Sequence, residues 1–298
     1  MKSGFGLRMV GASALAATVL GVAGCGGGSS GGATGSLTLG VADGPVDGAS
    51  HVVVEFTGVE VHGADGTVKQ IDYAQPRQID LLQLTGGVTE KLLDSESLPA
   101  GSYNWIRLKV NDTGSYIVPA AGGQYPLTIP SGAQSGLKLN RGFAVPDGGH
   151  AAFTVDFDLR KSVTQANGSY KLRPTLRLVD DSTVGALRGS VSSTLLGQCA
   201  SAHPSGYTAA VYVFADGTTP ADVDTSDPSH NNPVATADVV DAATQTYTVP
   251  FLEQDSYTAA FTCDAAQDTA NQTDPGVSFS GSRTVTITAG KTTTADFP

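Results

Sequence analysis

Positive charge is scarce in this chain. Lys and Arg number 17 against 28 Asp and Glu, a net charge of −11, and charged residues of either sign make up only 15% of the sequence. An acidic, sparsely charged surface excludes nucleic acid as a natural partner, because phosphates need a basic face, and it matches anionic headgroups poorly. Long apolar runs are also scarce. The longest N-terminal stretch, Met9 to Ala23, falls short of the roughly 20 residues that span a bilayer, which argues against a plain transmembrane anchor. There are three cysteines and no C-x-x-C, so a redox or metal pair of that kind is absent. The five histidines, His51, His62, His150, His203 and His230, are scattered; none lies in H-E-x-x-H or beside a plausible nucleophile, which leaves zinc and triad chemistry without a constellation. Sustained helical periodicity is missing too, while Gly, Thr and Val are frequent. That composition suits many short strands joined by turns.

What is present begins at the N-terminus. Lys2 and Arg8 precede the apolar run, which ends in V-A-G-C, Val22 to Cys25, and breaks into G-G-G-S-S-G-G. A positive start, a short apolar core and small residues before a cut describe a secretory signal. An ordinary signal would not need cysteine at the cut, and the stretch resembles a bacterial lipoprotein signal with its lipobox. The resemblance implies removal of 1–24, acylation of Cys25 (palmitate-type lipid) and tethering of the protein to a membrane. Gly26, rather than Asp, after the cysteine implies the outer membrane if the host has one. Loss of Lys2 and Arg8 with the signal makes the remainder two units more negative. Residues 25–35, rich in Gly and Ser, read as a flexible tether. The G-x-S-x-G at Gly27 to Gly31 has neither the strand nor the helix that a nucleophile elbow needs, so it is an accident of composition.

The rest of the chain suits one large or two ordinary domains. Alternating apolar residues predict strands from Ser36 (Leu37, Leu39, Val41) and over 51–62, with a turn D-G-P-V-D-G at 43–48 between them. Further strands are expected at 68–73, 78–82 and 102–110. Residues 83–97 are ambiguous, V-T-E-K-L-L-D fitting one or two helical turns. In 102–110, Ile106, Leu108 and Val110 are expected on one face and Tyr103, Trp105, Arg107 and Lys109 on the other. In 151–160, Ala151, Phe153, Val155, Phe157 and Leu159 share one face, and Thr154, Asp156, Asp158 and Arg160 the opposite one. If that strand pairs with 170–179, its acids meet Arg173 and Arg177. A second unit opens at 185–191, with strand candidates at 207–214, 234–240, 245–251, 256–263 and 283–288. Cys199 and Cys263, an even pair left in an oxidising compartment, predict a disulfide.

Several motifs in order carry a family resemblance: G-S-L-T-L-G-V-A-D-G-P-V-D at 35–47, V-V-V-E-F-T-G-V-E-V-H at 52–62, I-D-L-L-Q-L at 79–84, L-P-A-G-S-Y-N-W-I-R-L at 98–108, I-P-S-G with G-L-K-L at 129–139, and V-D-F-D-L-R-K-S-V at 155–163. Together they resemble the bacterial lipoprotein domain of domain-of-unknown-function family 4382. The resemblance covers about 35–180 and implies export and a β-rich fold. It brings no activity and no catalytic residues. V-P-F-L-E-Q-D-S-Y-T-A at 249–259 is similar to the turn-then-strand of carboxypeptidase-regulatory or transthyretin-like sandwiches, with Asp255 where those carry glycine. The expected architecture is all-β: two sandwich-like (Ig/prealbumin-like) antiparallel domains, 36–182 and 185–298, after the signal and tether.

Candidate chemistry is thin. Asp156 and Asp158 could ligate calcium or serve as acid and base, or form a salt-bridge ladder on a polar sheet face. The loop 216–233 carries Asp216, Asp222, Asp224 and Asp227; D-V-D-T-S-D begins like a calcium loop but lacks the sharp-turn glycine and closing glutamate. Tyr103 and Trp105 could stack on a sugar or be core contacts. The expected function is therefore non-enzymatic, without a required cofactor. It is a cell-envelope structural, adhesion or protein-binding module whose partners are the membrane, through the lipid, and an unidentified envelope protein or glycan. The alternative is a carbohydrate- or calcium-binding accessory module.

Overall fold

The strand Thr34–Gly44 (β1) is the spine of the N-terminal body. It lies parallel to His150–Asp158 and antiparallel to Glu90–Pro99, so it is interior to its sheet. Leu37, Leu39 and Val41 are completely buried on one side of it, and small residues, Gly40 and Ala42, occupy the other. A strand buried on both faces has no room for an alternating polar face. The computed structural model describes residues 32–130, 132–239 and 244–298.

Continuing along the chain, the N-terminal strands are β2 (Ala49–Gly63), β3 (Val68–Asp80), β4 (Glu90–Pro99), β5 (Gly101–Pro119), β6 (Tyr125–Thr128), β7 (Leu137–Leu139), β8 (Phe143–Val145), β9 (His150–Asp158), β10 (Val163–Ala166), β11 (Ser169–Leu172) and β12 (Leu176–Asp180). They form a four-stranded sheet, β12-β9-β1-β4, and a larger one, β10-β11-β6-β5-β2-β3, with β7 and β8 also on β5. One apolar core, Leu37 to Leu178 and including Phe56, Phe153 and Phe157, fills the space between them. The C-terminal strands are β13 (Val184–Ser190), β14 (Ala210–Ala215), β15 (Ala235–Asp238), β16 (Thr246–Glu253), β17 (Ser256–Thr262), β18 (Ser280–Thr286) and β19 (Thr292–Thr294). Their two sheets, β16-β13-β19 and β15-β14-β17-β18, enclose a second core built on Tyr247, Phe261 and Phe297. The all-β, sandwich-like architecture expected from the composition is what the chain adopts.

Several local expectations are corrected. Strand β1 runs on through Asp43 to Gly44 where a turn was expected, because its pairing with β9 continues to Asp158. Of the ambiguous stretch 83–97, residues 83–87 lie in a 3₁₀ segment and the rest, from Glu90, is strand β4. Its adjacent buried Leu92 and Leu93 hide the period of two, and the ladder to β1 is irregular around Ser95, whose φ is 52°. Strand β3 joins two expected strands into one, and Leu81–Gly87 turns into a 3₁₀ segment against β1. The expected strand 170–179 is split at Pro174, which cannot donate to a ladder: β11 pairs with β10 in one sheet, and β12 with β9 in the other. A short helix, Ser193–Ala202, capped by the Ser192 hydroxyl accepting from the Leu195 amide, was not foreseen.

Cys199 on that helix is bonded to Cys263, just past β17, with a Cα–Cα distance of 5.4 Å. The loop closed is 64 residues long, worth about 4 kcal/mol on the chain-entropy account. A Cys199→Ala, Cys263→Ala double variant is therefore expected to lose about 4 kcal/mol of unfolding free energy. A urea denaturation of parent and variant checks this, and added reductant should bring the parent to the variant's midpoint.

Candidate functional site

The two cores meet where β9 ends. Asp158 stops the strand by capping the four-residue helix Leu159–Ser162, its Oδ1 accepting from the Lys161 amide at 3.2 Å. That turn throws two cations into the C-terminal body. Arg160 is 3% exposed overall. Its Nη1 donates to the Ala265 carbonyl at 3.0 Å and pairs with Asp47; its Nη2 donates to Asp238 Oδ1 at 2.9 Å; its Nε donates to Thr236 Oγ1 at 3.4 Å. The guanidinium also lies 5.4 Å from the centre of the Tyr212 ring. Lys161 donates to the Pro233 carbonyl and lies 2.7 Å from Asp158 Oδ2, a contact outside hydrogen-bond angles. Sequence reading put Leu159 and Arg160 in the strand; the cap at Asp158 takes them out of it.

Beside this lock lies a cavity of about 640 Å³. Asp43, Asp156, Asp158 and Asp238 line it, and its apolar wall includes Val46, Leu82, Phe157 and Val249. Among the described residues, no Lys, Arg or His lines it. Three of the four carboxylates have a cation behind them: Arg177 for Asp156, Lys161 for Asp158, and Arg160 for Asp238. Asp43 has none. It is 2% exposed, and no donor reaches either carboxylate oxygen within hydrogen-bond geometry. Burial raises its pKa well above the usual value, and repulsion from Asp156 and Asp158 adds to this. The nearby amides of Leu159 and Gly44 pull the other way without reversing it. Burial also raises Asp156, against the attraction of Arg177, and takes Asp238 up to about 6, against Arg160 and with Asp47. At the cavity rim β16 bulges: Phe251 adopts φ 55° and the ladder to β13 slips between Leu252 and Val249. Bulges of this kind re-aim the residues beside them, and here Thr248, Val249 and Pro250 line the cavity.

Residues 34–174 match the model of a family described as Domain of unknown function (DUF4382). The matched segment carries Asp43, Asp47, Asp156, Asp158, Arg160 and Lys161, whereas Thr236, Asp238 and Ala265 lie beyond it. No curated protein matches the chain. Among solved structures it is similar to the Bacillus anthracis TIE protein at 11% identity, over 89% of this chain and 34% of that one, with a TM-score of 0.21. The minor pilin GBS52 of Streptococcus agalactiae follows at 12% identity, over 88% of this chain and 94% of that one, TM-score 0.21. The major pilin BcpA of Bacillus cereus is matched at 8% identity, over 89% and 98%, TM-score 0.19. The chain spans about a third of the TIE protein's length. Likeness at this level carries no argument about activity.

The residues singled out from sequence fall in different places. Asp156 meets Arg177 across β9 and β12, as the ladder reading expects, but Arg173 is exposed and Asp158 pairs with Lys161 instead. Tyr103 and Trp105 do not share a face. The β2–β5 ladder slips between His62 and Gly63, opposite Trp105 and Tyr103, so Tyr103 turns into the core. There its ring stacks on Phe143 at 5.0 Å, and its hydroxyl donates to the Pro99 carbonyl. Trp105 remains half-buried, stacked on His62 at 4.6 Å, with Arg107 at 4.8 Å and Lys138 at 4.5 Å from its ring centre. Of the four acids in 216–233, Asp216 is exposed, while Asp224 and Asp227 accept from Ser226 and Ser229 respectively. Asp222 instead comes together with Asp268 and Asp274, which sequence reading did not select; one oxygen of each lies within 4.8 Å of the others. Asp268 accepts from Tyr212 and Val223, and Asp274 from Thr269 and Gln272. Cys25 lies outside the described residues. Asp43 and Arg160 were the residues missed as a site. The only sequence signal was a carboxylate ending a strongly apolar strand and an arginine just past another.

Two outcomes follow. Arg160→Ala strands Asp47 and Asp238 without their cation and is expected to cost about 3–5 kcal/mol in urea unfolding. Arg160→Met combined with Asp47→Asn and Asp238→Asn should recover most of that loss. For Asp43 the folded state holds the proton more tightly than the unfolded chain. Its stabilising contribution is therefore full below the ordinary value of 3.8 and is lost as pH rises through the raised folded value. Unfolding free energies of Asp43→Asn should accordingly fall less than the parent's as pH is raised from the acid side to neutrality.

Proposed function

We propose that this protein is an exported, lipid-anchored component of the cell envelope, with a β-sheet body that is a non-enzymatic structural, adhesion or protein-binding module. The observation that carries this reading is the Arg160 lock. One buried guanidinium joins Asp47 of the first body to Thr236, Asp238 and Ala265 of the second. Residues 33–298 thereby form a single compact unit. A body stiffened at its joint holds the relative placement of its outer faces, which is what a scaffold or an adhesive spacer requires. Arg160, Asp47 and Asp238 are engaged in holding the joint.

The N-terminal sequence supplies the address. The V-A-G-C motif gives Cys25 the lipid, 26–35 the spacer, and Gly26 the outer membrane in a host with two membranes. A second reading is calcium-binding, favoured by the mutual proximity of Asp222, Asp268 and Asp274. Metabolic labelling with palmitate and membrane fractionation test the address. The parent should carry label and sediment with membranes, and Cys25→Ser should lose the label and move to the soluble fraction. An unlabelled parent, or a variant that stays membrane-bound, would remove the lipid anchor from this reading. Crosslinking in intact cells then identifies the envelope component held by the body.

A further inference from the structure

We propose that the cavity at the junction of the two cores binds an organic cation, an amine or guanidine whose charged head pairs with Asp43 and whose apolar body lies along Leu82, Phe157 and Val249. This goes beyond the scaffold reading, which requires no ligand. Among the described residues, four carboxylates line the cavity and no basic residue does. Arg177, Lys161 and Arg160 answer three of them, which leaves Asp43 as the one buried carboxylate with no donor on either oxygen. A buried carboxylate in that state is costly. A cation delivered from solution removes the cost.

The shape of the site selects the class of cation. The cavity's roughly 640 Å³ falls within the range of about 300–1,000 Å³ usual for small organic ligands and far exceeds the room one ion needs. Half of the named wall is apolar, which suits a hydrocarbon body and not a hydrated metal. The carboxylate oxygens here are also not gathered as a metal requires. Among the described residues the group that is gathered so closely is Asp222, Asp268 and Asp274. Asp43 lines the cavity and is almost fully buried, so a charged head that reaches it pairs in surroundings where charge pairing is strong. The lining comes from β1, β9, β15 and β16, so the ligand touches both bodies.

The test is calorimetric titration of the intact chain with phenethylamine, agmatine, calcium chloride and the uncharged isostere 2-phenylethanol. Saturable binding of at least one amine is expected, with none for 2-phenylethanol. Asp43→Asn should weaken that binding at least tenfold. Ser50→Trp, at an exposed lining position, plugs the cavity without touching a carboxylate and should weaken binding at least tenfold. It keeps the test decisive if Asp43→Asn does not fold. Failure of both amines to saturate at millimolar concentration overturns the proposal, as does undiminished binding in either folded variant. Binding of calcium alone also overturns it and supports the calcium reading instead.

Discussion

A single buried guanidinium holds the two halves of this protein in register. Arg160 is taken out of water and repaid by two carboxylates, a carbonyl, a hydroxyl and the face of Tyr212. Charges this deeply buried are tolerated only when almost every donor finds an acceptor. That requirement fixes the end of β9, the turn carrying Asp47, and the β15 segment carrying Thr236 and Asp238, all at once. Lys161 repeats the device one residue on, with the Pro233 carbonyl. An interface of this kind is specific more than it is strong. Apolar residues of similar volume could join the two cores, but they would not dictate one angle between them.

The same region leaves a debt. Asp43 ends a strand of otherwise apolar and small residues, and it does so beside two more carboxylates. A chain selected for stability alone would place Asn or Leu there. Strain of a second sort lies close by, in the left-handed backbone of Phe251 at the bulge of β16. An unpaired buried carboxylate and a left-handed residue beside the same cavity have the pattern of a functional site.

Much of the fold was legible in the sequence, and the reasons for the gaps are physical. Alternation marked β2, β9 and the core half of β5 because those strands have one strongly apolar face. It failed at β4, where Leu92 and Leu93 are adjacent, and at Tyr103, where a ladder slip reverses the facing. The cysteine pair was readable because only two cysteines remained after Cys25. The site was far less legible. Asp156 and Asp158 were noticed for sharing a face, and a polar face was taken to be a wet one. It is buried because the second body covers it, a fact about residues 235–238 and 248–250 that no local pattern near residue 156 records. Asp43 looked like a turn residue because D-G-P-V-D-G has turn chemistry. The pairing with β9, more than a hundred residues later in the chain, overrides it.

That pairing has a counterpart. The first strand of the N-terminal body is clasped in parallel by β9, and the first strand of the C-terminal body, β13, is clasped in parallel by β19, the last strand of the chain. Each body thus holds its first strand against one that comes more than a hundred residues later. Contacts so distant in sequence are slow to form, since loop closure must precede any reward from them. Synthesis runs N-terminus first, so β1 has its hydrogen-bonding edges bare until β4 and then β9 have followed. The interval from β1 to β9 is the longer of the two, so β1 is the strand on which a holding chaperone would have most effect while the chain is incomplete.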